Sequence, residues 1–418
     1  MSTPMPTDKK RKRPDDDPDP APPVRRSTRK SAEQARKERK EKEEQDAEAK
    51  RLEFLENLRS EISKRKPDPK GNRGDGNLYV SFVEVGQGDF AVMCTPGGKV
   101  ILFDGGSLGT DHESIEGNKL PNSDADLIKR MRDVLADTKY LGQKNVIDIL
   151  ILTHPDGDHY NKLREVLGND YTIDKCYHSD DFSSYTSAKT SEFLRPRIRL
   201  TQKVVKNDDP GEVEDGEVTL QGKPVQKKDT KDNITIDRQD DCGGILILDE
   251  GTDCQISIIA AGVEHKYMAD SSDDANRGSI VTLVQAHGKK LLMMGDATKN
   301  TEQFLLNTAK KRITGLDILQ MGHHGSVTTS SLQGFVNAVN PVEAIASAPR
   351  NIKKHRHPSK EVILRYVEKL KERPDITKHV TYAWPPKGDE NVHAYEGTKN
   401  VFSTGSRGTI TREFKASR

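Results

Sequence analysis

An apolar strand pattern, ILILT at residues 149–153, runs directly into four side chains that can bind metal ions, His154, Asp156, Asp158 and His159. A strand end followed by a turn and a helix start can direct alternate side chains at one point. Imidazole nitrogen and carboxylate oxygen together suit zinc, manganese or iron. A lone His–Asp pair is usually only a polar turn, but four ligands at this spacing favour a metal site. The spacing leaves room for two adjacent ions.

From about Leu78 onward, short β-branched runs alternate with amphipathic helical patterns. The strand patterns LYVSFVEV, FAVMC and KVILFD precede a helical pattern over residues 124–136 and the strand pattern IDILILT. Four more strand patterns, GGILILD, CQISIIAA, SIVTLVQA and KKLLMMGD, come before a helical pattern over 299–311 and the strand pattern LDILQMG. This alternation predicts an α/β fold with two sheet-rich halves. The charged stretch between the halves, at about 195–241, predicts a surface insertion.

Residues 1–73 have the composition of a charged N-terminal arm. Hydrophobic and charged residues each make up 32% of the whole chain, which is a low apolar fraction for a chain packed into one core throughout. Residues 1 to about 23 are nearly free of apolar side chains, so we expect them to be disordered. Residues 31–64 combine strong helix formers with opposite charges four positions apart, which predicts a solvated helix that could bind a partner protein. The folded body is predicted over residues 74–415.

The four cysteines, Cys94, Cys176, Cys242 and Cys254, lie far apart and form no C-x-x-C pair. Neither a zinc knuckle nor a disulfide framework is therefore expected, and a reducing compartment is predicted. The sequence contains no run of about 18 apolar residues, and its charged start lacks the apolar stretch of a signal peptide. We expect no membrane partner and a cytoplasmic location, or a nuclear one in a eukaryote because of the basic KKRKRP at residues 9–14.

Six short blocks of the chain resemble those of the metallo-β-lactamase superfamily and stand in the same order. They are VEVGQGD (83–89), ILFDGG (101–106), THPDGDH (153–159), LMMGDA (292–297), GHHGS (322–326) and RHP (356–358). The superfamily signature H-x-H-x-D-H stands here as H-x-D-x-D-H, with Asp156 in the place of the second histidine. Within the superfamily, the chain looks most like the hydrolase domain of the DNA-uptake competence protein ComEC, over roughly residues 78–414. The resemblance implies an α/β fold, a metallo-β-lactamase-type αββα sandwich preceded by the disordered and helical arm.

The resemblance also implies that the matched residues hold two divalent metal ions, zinc or manganese. His154 and Asp156 would bind one ion, and Asp158 and His159 would bind the other. Asp296, in GDA at the end of a strand pattern, looks like the carboxylate that bridges the two. An aspartate after a glycine is often only a turn residue, but this one follows LLMM and can reach a site above the sheet.

Further blocks imply residues that complete or support the metal pair. One of the adjacent histidines after LDILQMG should complete the second metal position, and we expect His323 to be that ligand while His324 faces the substrate or supports the site. Asp104 in ILFDGG resembles the superfamily's buried carboxylate, which accepts the other N–H of a ligand histidine. His357 matches a ComEC-like histidine that could contact a phosphate. Its basic neighbours, expected to contact an anion as well, are Lys353, Lys354 and Arg356.

Two departures from the superfamily pattern bear on metal identity. Asp156 replaces one imidazole, and Asn276 stands in the region where superfamily members usually supply another histidine before the bridging aspartate. Oxygen atoms therefore make up a larger share of the ligands predicted for the first metal position. This moves the expected preference from zinc toward manganese or a mixed pair.

The predicted chemistry is hydrolysis through a metal-bridged hydroxide, with Asp158, His324 and His357 as catalytic residues. The sequence has no G-x-S-x-G elbow, Walker loop or G-x-G-x-x-G after a strand, so covalent and nucleotide-driven mechanisms lack support. The ComEC resemblance points to a phosphodiesterase or nuclease acting on DNA, with the basic arm as an additional phosphate contact. Two alternatives stay open: a metallohydrolase for small esters, lactones or amides, and a partner-binding module in which the metal site is secondary.

Overall fold

The structure is a computed structural model, and nearly all the residues it describes lie in the body of the chain. The described ranges are 74–109, 124–137, 145–205, 217–219, 244–263, 265–350, 355–370, 378–386 and 391–416. Three residues of the arm, Gln34, Arg39 and Lys42, are also described, and all three are helical and exposed. The other predictions for residues 1–73 lie outside the described residues. All elements below belong to the compact unit of residues 58–418.

Eight of the described strands form the larger sheet. They are β1 (Leu78–Phe82), β2 (Phe90–Cys94), β3 (Val100–Asp104), β4 (Val146–Leu152), β5 (Thr172–His178), β6 (Ile198–Val205), β7 (Glu217–Thr219) and β17 (Ile410–Phe414). Their order in the sheet is β17-β1-β2-β3-β4-β5-β6-β7. From β3 to β6 neighbouring strands run parallel, so their carboxyl ends meet at one edge of the sheet.

Seven strands form the second sheet. They are β8 (Ile245–Asp249), β9 (Cys254–Ala260), β10 (Val281–Ala286), β11 (Lys289–Met293), β12 (Ile318–Gln320), β13 (Glu343–Ala346) and β16 (Val401–Ser403), in the order β16-β13-β12-β11-β10-β9-β8. The strands β11, β12, β13 and β16 run parallel. A separate antiparallel pair consists of β14 (His379–Ala383) and β15 (His393–Gly397). The second sheet therefore also gathers several strand ends at one edge.

Nine α-helices are described, most of them short. They are α1 (Asp124–Leu135), α2 (Leu163–Leu167), α3 (Thr190–Leu194), α4 (Asp274–Arg277), α5 (Lys299–Thr308), α6 (Lys310–Ile313), α7 (Gln333–Val339), α8 (Lys360–Lys369) and α9 (Thr404–Arg407). Within the described ranges, none of them combines the length and apolar character needed to cross a membrane.

The two sheets pack face to face because their strands alternate side chains between two cores. In β3, Ile101 and Phe103 belong to a cluster with side chains from both sheets. Val100 and Leu102, which point the other way, belong to a cluster with residues of α1, α2 and α3. Helices α5 to α8 pack in a third cluster on the outer face of the second sheet. The layers run helix, sheet, sheet, helix, and the predicted αββα sandwich is thereby confirmed.

The predicted surface insertion begins later in the chain than the sequence pattern indicated. Residues 198–205, inside the predicted insertion of 195–241, form β6, which pairs in parallel with β5. Ile198 and Val204 are buried, whereas Arg199 on the other face is exposed. The alternation was hidden in the sequence because the charged residues of one face made the whole stretch look polar. Most of the remaining insertion, 206–216 and 220–241, lies outside the described residues.

His178, at the carboxyl end of β5, offers a test of the packing on this side of the sandwich. Its ring is 4% exposed, Nδ1 donates to the carbonyl oxygen of Asp180 at 2.6 Å, and the rings of Phe182 and Tyr185 pack edge-on against it. Burial lowers the pKa of His178 to about 4. Because the folded pKa lies below the ordinary value of 6.5, the neutral ring stabilises the fold above pH 6.5 and this contribution is lost as pH falls through 4.

We expect the wild type to lose about 3 kcal/mol more unfolding free energy than His178→Asn when pH falls from 7 to 4. Asparagine keeps an N–H for the Asp180 carbonyl but cannot gain a proton. Urea unfolding of both metal-free proteins at a series of pH values measures the difference. Parallel pH profiles would show that the folded protein holds His178 with an ordinary pKa.

Candidate metal centre

The candidate site lies where strand ends of the two sheets meet. His154 follows β4, Asp296 follows β11, and His323 with His324 follows β12. The ends of the two sheets are joined by a backbone hydrogen bond from Ile280 to Thr153, at 2.9 Å. Within the second sheet, the ends of β11 and β12 are joined by one from His323 to Gly295, at 3.0 Å. The carboxyl-terminal residues of β4 and β11 are apolar and buried, so the polar side chains that follow them are presented at this edge. The site therefore combines segments that are distant in sequence, since Asp296 lies more than 100 residues after His154.

Asp296 occupies the centre of the site, with imidazoles on both of its carboxylate oxygens. Oδ1 lies 3.2 Å from His159 Nε2 and 3.3 Å from His324 Nε2. Oδ2 lies 3.8 Å from His154 Nε2 and 3.7 Å from His323 Nε2. One carboxylate that faces two imidazole pairs in this way has the geometry of a bridging ligand, the role that the resemblance implied for Asp296.

His324, and not the expected His323, lies beside the residues predicted to hold the second metal ion. His324 Nε2 is 3.6 Å from Asp158 Oδ2, and ligand-capable atoms of Asp158, His159 and His324 all lie within 4.8 Å of one another. His324 is 1% exposed, and Nδ1 donates to the carbonyl oxygen of Ser347 at 2.7 Å, which directs Nε2 into the site. The geometry therefore places His324, rather than His323, beside Asp158 and His159.

The reason for this correction is the backbone between the two histidines. His323 and His324 both have positive φ, 45° and 54°, so the chain turns sharply and successive side chains reach different parts of the site. His323 keeps 17% of its side chain exposed and approaches only the Asp296 oxygen that faces His154. It thus lies toward the first metal position, where the sequence appeared to lack an imidazole.

The first metal position contains the other two predicted residues. His154 is fully buried, and its Nε2 lies 3.6 Å from Asp156 Oδ2. The Asp156 side chain is 41% exposed, so it closes the site on the solvent side rather than from the core. His154, His159 and Asp296 form a group whose ligand-capable atoms lie within 4.8 Å of one another.

Asp104 supports His159 from behind. Its carboxylate accepts from His159 Nδ1 at 2.7 Å, from the Thr153 backbone at 2.8 Å and from the Thr153 hydroxyl at 2.6 Å. With Nδ1 bonded to Asp104, Nε2 is the ring nitrogen of His159 that faces Asp296. Asp104 itself has a φ of 55°, a backbone conformation that non-glycine residues adopt rarely and that occurs often at functional sites.

The buried polar atoms at the centre fit divalent cations. Within the described part of the chain, His154 Nε2, His159 Nε2, His324 Nε2 and Asp296 Oδ1 are buried without a hydrogen-bond partner. Buried polar atoms are normally paired, so their convergence on one point indicates a ligand that accepts electron pairs. Four carboxylates are also buried here, Asp89, Asp104, Asp158 and Asp296. Divalent cations would offset the negative charge of this buried cluster of carboxylates.

The electrostatics of the side chains agree with this fit. Burial opposes protonation of His159, but the carboxylates of Asp296 and Asp104 outweigh it and hold the pKa of His159 well above its usual range. Burial would raise the pKa of Asp296, yet the histidines around it, His324 first, hold that pKa well below its usual range. Asp296 is therefore anionic and attracts positive charge, which bound metal ions would supply on displacing protons from the imidazoles.

Asp89 belongs to the site although the sequence reasoning assigned it no role. It is 4% exposed; Oδ1 accepts from Gln320 Nε2 at 3.0 Å, and Oδ2 lies 3.9 Å from His159 Nδ1. The signal that could have found it is the block VEVGQGD, which ends on this aspartate directly before β2.

Of the residues expected to contact substrate, His357 is the one that lies beside the site. It is buried, and its ring centroid is 5.8 Å from that of His323 and 6.2 Å from that of His324. Arg356 does not take the position predicted for it, because its guanidinium donates to the carbonyl oxygens of Pro385 and Pro386 and packs over the Trp384 ring. It therefore anchors the chain after β14. The other two predicted contacts lie outside the described residues, namely Lys353 and Lys354.

Comparison with known proteins gives similarity at the level of the fold only. No protein-family model matches the sequence, and no curated protein matches it. Solved structures with similar architecture include human tRNase Z, short form, at 13% identity and a TM-score of 0.37, covering 64% of this chain and 91% of that one.

Two other similar structures cover more of this chain. Igni18, a metallo hydrolase from the archaeon Ignicoccus hospitalis, has 11% identity and a TM-score of 0.38, covering 81% of this chain and 100% of that one. A diphosphatase from the PhnP family has 11% identity and a TM-score of 0.34, covering 81% and 98%. Similarity this low carries no argument about substrate or mechanism.

Proposed function

We propose that this chain is a metal-dependent hydrolase that holds two divalent ions and cleaves phosphodiesters, DNA among them. The observation that carries the proposal is the convergence of three buried imidazole Nε2 atoms and one Asp296 oxygen, all without hydrogen-bond partners among the described residues. Nitrogen and oxygen ligands of this kind suit zinc and manganese.

In the proposed metal pair, the ligand residues form two sets that share Asp296. His154, Asp156 and one Asp296 oxygen would hold the first ion, and Asp158, His159 and His324 would hold the second with the other oxygen. Ions bound there would supply Lewis acidity, which activates water and stabilises negative charge on the attacked group. The chain's own contribution is orientation: Asp104 fixes the His159 ring, and the Ser347 carbonyl fixes the His324 ring.

A covalent mechanism through cysteine has no support among the described residues. Cys176 and Cys254 are buried, and burial raises the pKa of both thiols, so neither is a ready nucleophile. Cys94 lies in the core as part of β2. Attack by activated water is therefore the reaction that the side chains favour.

A phosphodiester substrate is favoured by the ComEC-like blocks and by the histidines at the outer side of the site. His357 and His323 stand beside the proposed metal ligands, where imidazole N–H groups can donate to a phosphate oxygen. Burial lowers the pKa of His357 well below its usual range, so this side chain contacts the substrate as a neutral donor. The basic arm, with KKRKRP at residues 9–14, would add phosphate contacts that do not depend on base sequence.

The proposal is tested with metal-reconstituted protein and a panel of single-stranded DNA, double-stranded DNA, a bis-aryl phosphodiester and a lactone. We expect turnover of the phosphodiesters and its loss in Asp158→Asn, which keeps the side-chain shape but removes a charge. The matched control is Asp148→Asn, since Asp148 is as buried as Asp158, with 12% against 13% of the side chain exposed, and pairs with Lys99 instead.

Each alternative function gives a different result in the same panel. Turnover of the lactone alone identifies a hydrolase of small esters or lactones. Metal binding without turnover of any substrate would favour the alternative in which the chain is a partner-binding module. Deleting residues 1–70 should reduce cleavage of DNA at low salt but leave cleavage of the small phosphodiester unchanged, because a small substrate cannot reach the arm.

A further inference from the structure

The buried carboxylate of Asp89 lies inside the candidate site, close to the second metal position. Ligand-capable atoms of Asp89, Asp296 and His324 lie within 4.8 Å of one another. Two of these partners, Asp296 and His324, also present buried atoms without hydrogen-bond partners in the described structure, Oδ1 and Nε2. Asp89 therefore borders the point at which the unsatisfied atoms converge.

Asp89 differs from Asp104, the other carboxylate behind the site, in what it bonds. Asp104 accepts hydrogen bonds from three donors, namely His159 Nδ1, the Thr153 backbone amide and the Thr153 hydroxyl. Asp89 Oδ2 is 3.9 Å from His159 Nδ1, too far for a hydrogen bond. Its donors are Gln320 Nε2 and the Ser347 hydroxyl, which orient the carboxylate but do not belong to a ligand histidine. Asp89 thus has no histidine to support, and it retains acceptor capacity.

The backbone around Asp89 packs directly against the turn that carries Asp158 and is hydrogen-bonded to it. The Asp89 amide donates to the Asp158 carbonyl oxygen at 3.3 Å. Gly88 has a φ of 148°, and a Cβ there would come within 2.5 Å of the same carbonyl oxygen. A Cβ at Gly106 would come within 2.4 Å of it. The two glycines permit an approach that no other residue allows, so Asp89 and Asp158 are held in a fixed mutual position.

We propose that Asp89 is a further carboxylate ligand of the second metal position, in addition to Asp158, His159, His324 and the shared Asp296. The inference rests on the proposed metal pair and extends it, since no block of the sequence pattern gave Asp89 this role. With Asp89, three carboxylates and two imidazoles surround the second position. Such an oxygen-rich set favours a harder ion such as Mn²⁺ at that position.

The direct test places a thiolate at residue 89 and asks whether it reaches a bound metal ion. Asp89→Cys, metal-stripped and titrated with Cd²⁺, should gain a thiolate-to-cadmium charge-transfer absorption over the wild-type spectrum, saturating at one ion per chain. Asp158→Cys is the positive control, because its side chain is a ligand under the proposed function. Asp104→Cys is the negative control, because Asp104 is equally buried but bonds His159.

A second measurement covers the case in which the cysteine variant does not fold or its shorter side chain does not reach the ion. Asp89→Asn preserves the size and shape of the side chain, and Asp104→Asn is the matched control variant. Loss of a supporting residue weakens metal affinity by about 10- to 100-fold. Loss of a ligand should weaken the affinity of one of two Mn²⁺ sites by more than about 100-fold, measured by Mn²⁺ titration with electron paramagnetic resonance detection.

The outcomes separate this inference from the proposed function. Absorption in Asp158→Cys but not in Asp89→Cys, together with equal Mn²⁺ affinities in Asp89→Asn and Asp104→Asn, would overturn the role of Asp89 and leave the metal pair intact. Absence of both the absorption in Asp158→Cys and Mn²⁺ binding by the wild type would instead refute the metal pair itself.

Discussion

Asp296→Asn will abolish hydrolysis, with a loss of at least about 1,000-fold in turnover, or about 4 kcal/mol of transition-state stabilisation. Asp296 is the side chain that approaches all four imidazoles of the site, at 3.2 to 3.8 Å. Asparagine fills the same volume but offers one oxygen and no charge, so it cannot bridge two cations. The variant should therefore lose metal as well as activity.

The same substitution should lower stability both without and with metal. In the metal-free protein the Asp296 charge attracts the buried imidazoles and its pKa is held well below the usual range, so removing that charge at neutral pH should lower the thermal midpoint. In the metal-loaded protein it removes a bridging ligand, so the midpoint should fall below that of the wild type.

Thermal unfolding with and without metal, metal analysis and turnover together measure these effects. Asp148→Asn is the control, because it also removes a buried carboxylate but lies in β4, outside the site. It should keep metal content and turnover. Full turnover of Asp296→Asn at verified metal content would remove Asp296 from the centre of the mechanism.

Removal of metal from the wild type should abolish turnover and destabilise the fold. Each site saturated at 100 times its Kd contributes about 2.7 kcal/mol to the free energy of unfolding, so chelation should lower the thermal midpoint measurably. We expect metal-stripped protein to regain more activity with Mn²⁺ than with Zn²⁺. Oxygen ligands favour the harder ion, and Asp156 supplies oxygen where the superfamily signature has imidazole.

Asp156→His tests the physical reason for that preference within one protein. The substitution puts a nitrogen ligand at the position of Asp156, whose Oδ2 lies 3.6 Å from His154 Nε2, and should shift the preference back toward zinc. Full recovery of the stripped wild type with stoichiometric zinc, and indifference to manganese, would contradict the argument from ligand hardness. His323, which faces the first position through Asp296 Oδ2, would then be the imidazole that the argument left out.

Local patterns were sufficient to predict the sandwich and the chain segments that build the site. The strand patterns from LYVSFVEV to LDILQMG correspond to buried strands because apolar alternation and β-branching act within a few residues. The stretch THPDGDH predicted a cluster of metal-binding side chains because strand and turn geometry fixes the directions of near neighbours. His154 and Asp156 need only this local geometry to lie close together.

Local sequence patterns could not predict which distant segments contact one another. Those contacts determine which side chains face the centre of the site. His324 rather than His323 reaches Asp158, because the Ser347 carbonyl on a neighbouring strand end holds its ring. Asp89 enters the site because Gly88 and Gly106 let its loop approach the Asp158 turn. Arg356 bonds the chain after β14 instead of a phosphate. The sequence by itself thus determined which segments carry metal-binding side chains, through short-range sterics. Only the tertiary structure decided which side chain of each segment faces the common centre, because contacts between distant segments set the final orientation of each ring and carboxylate.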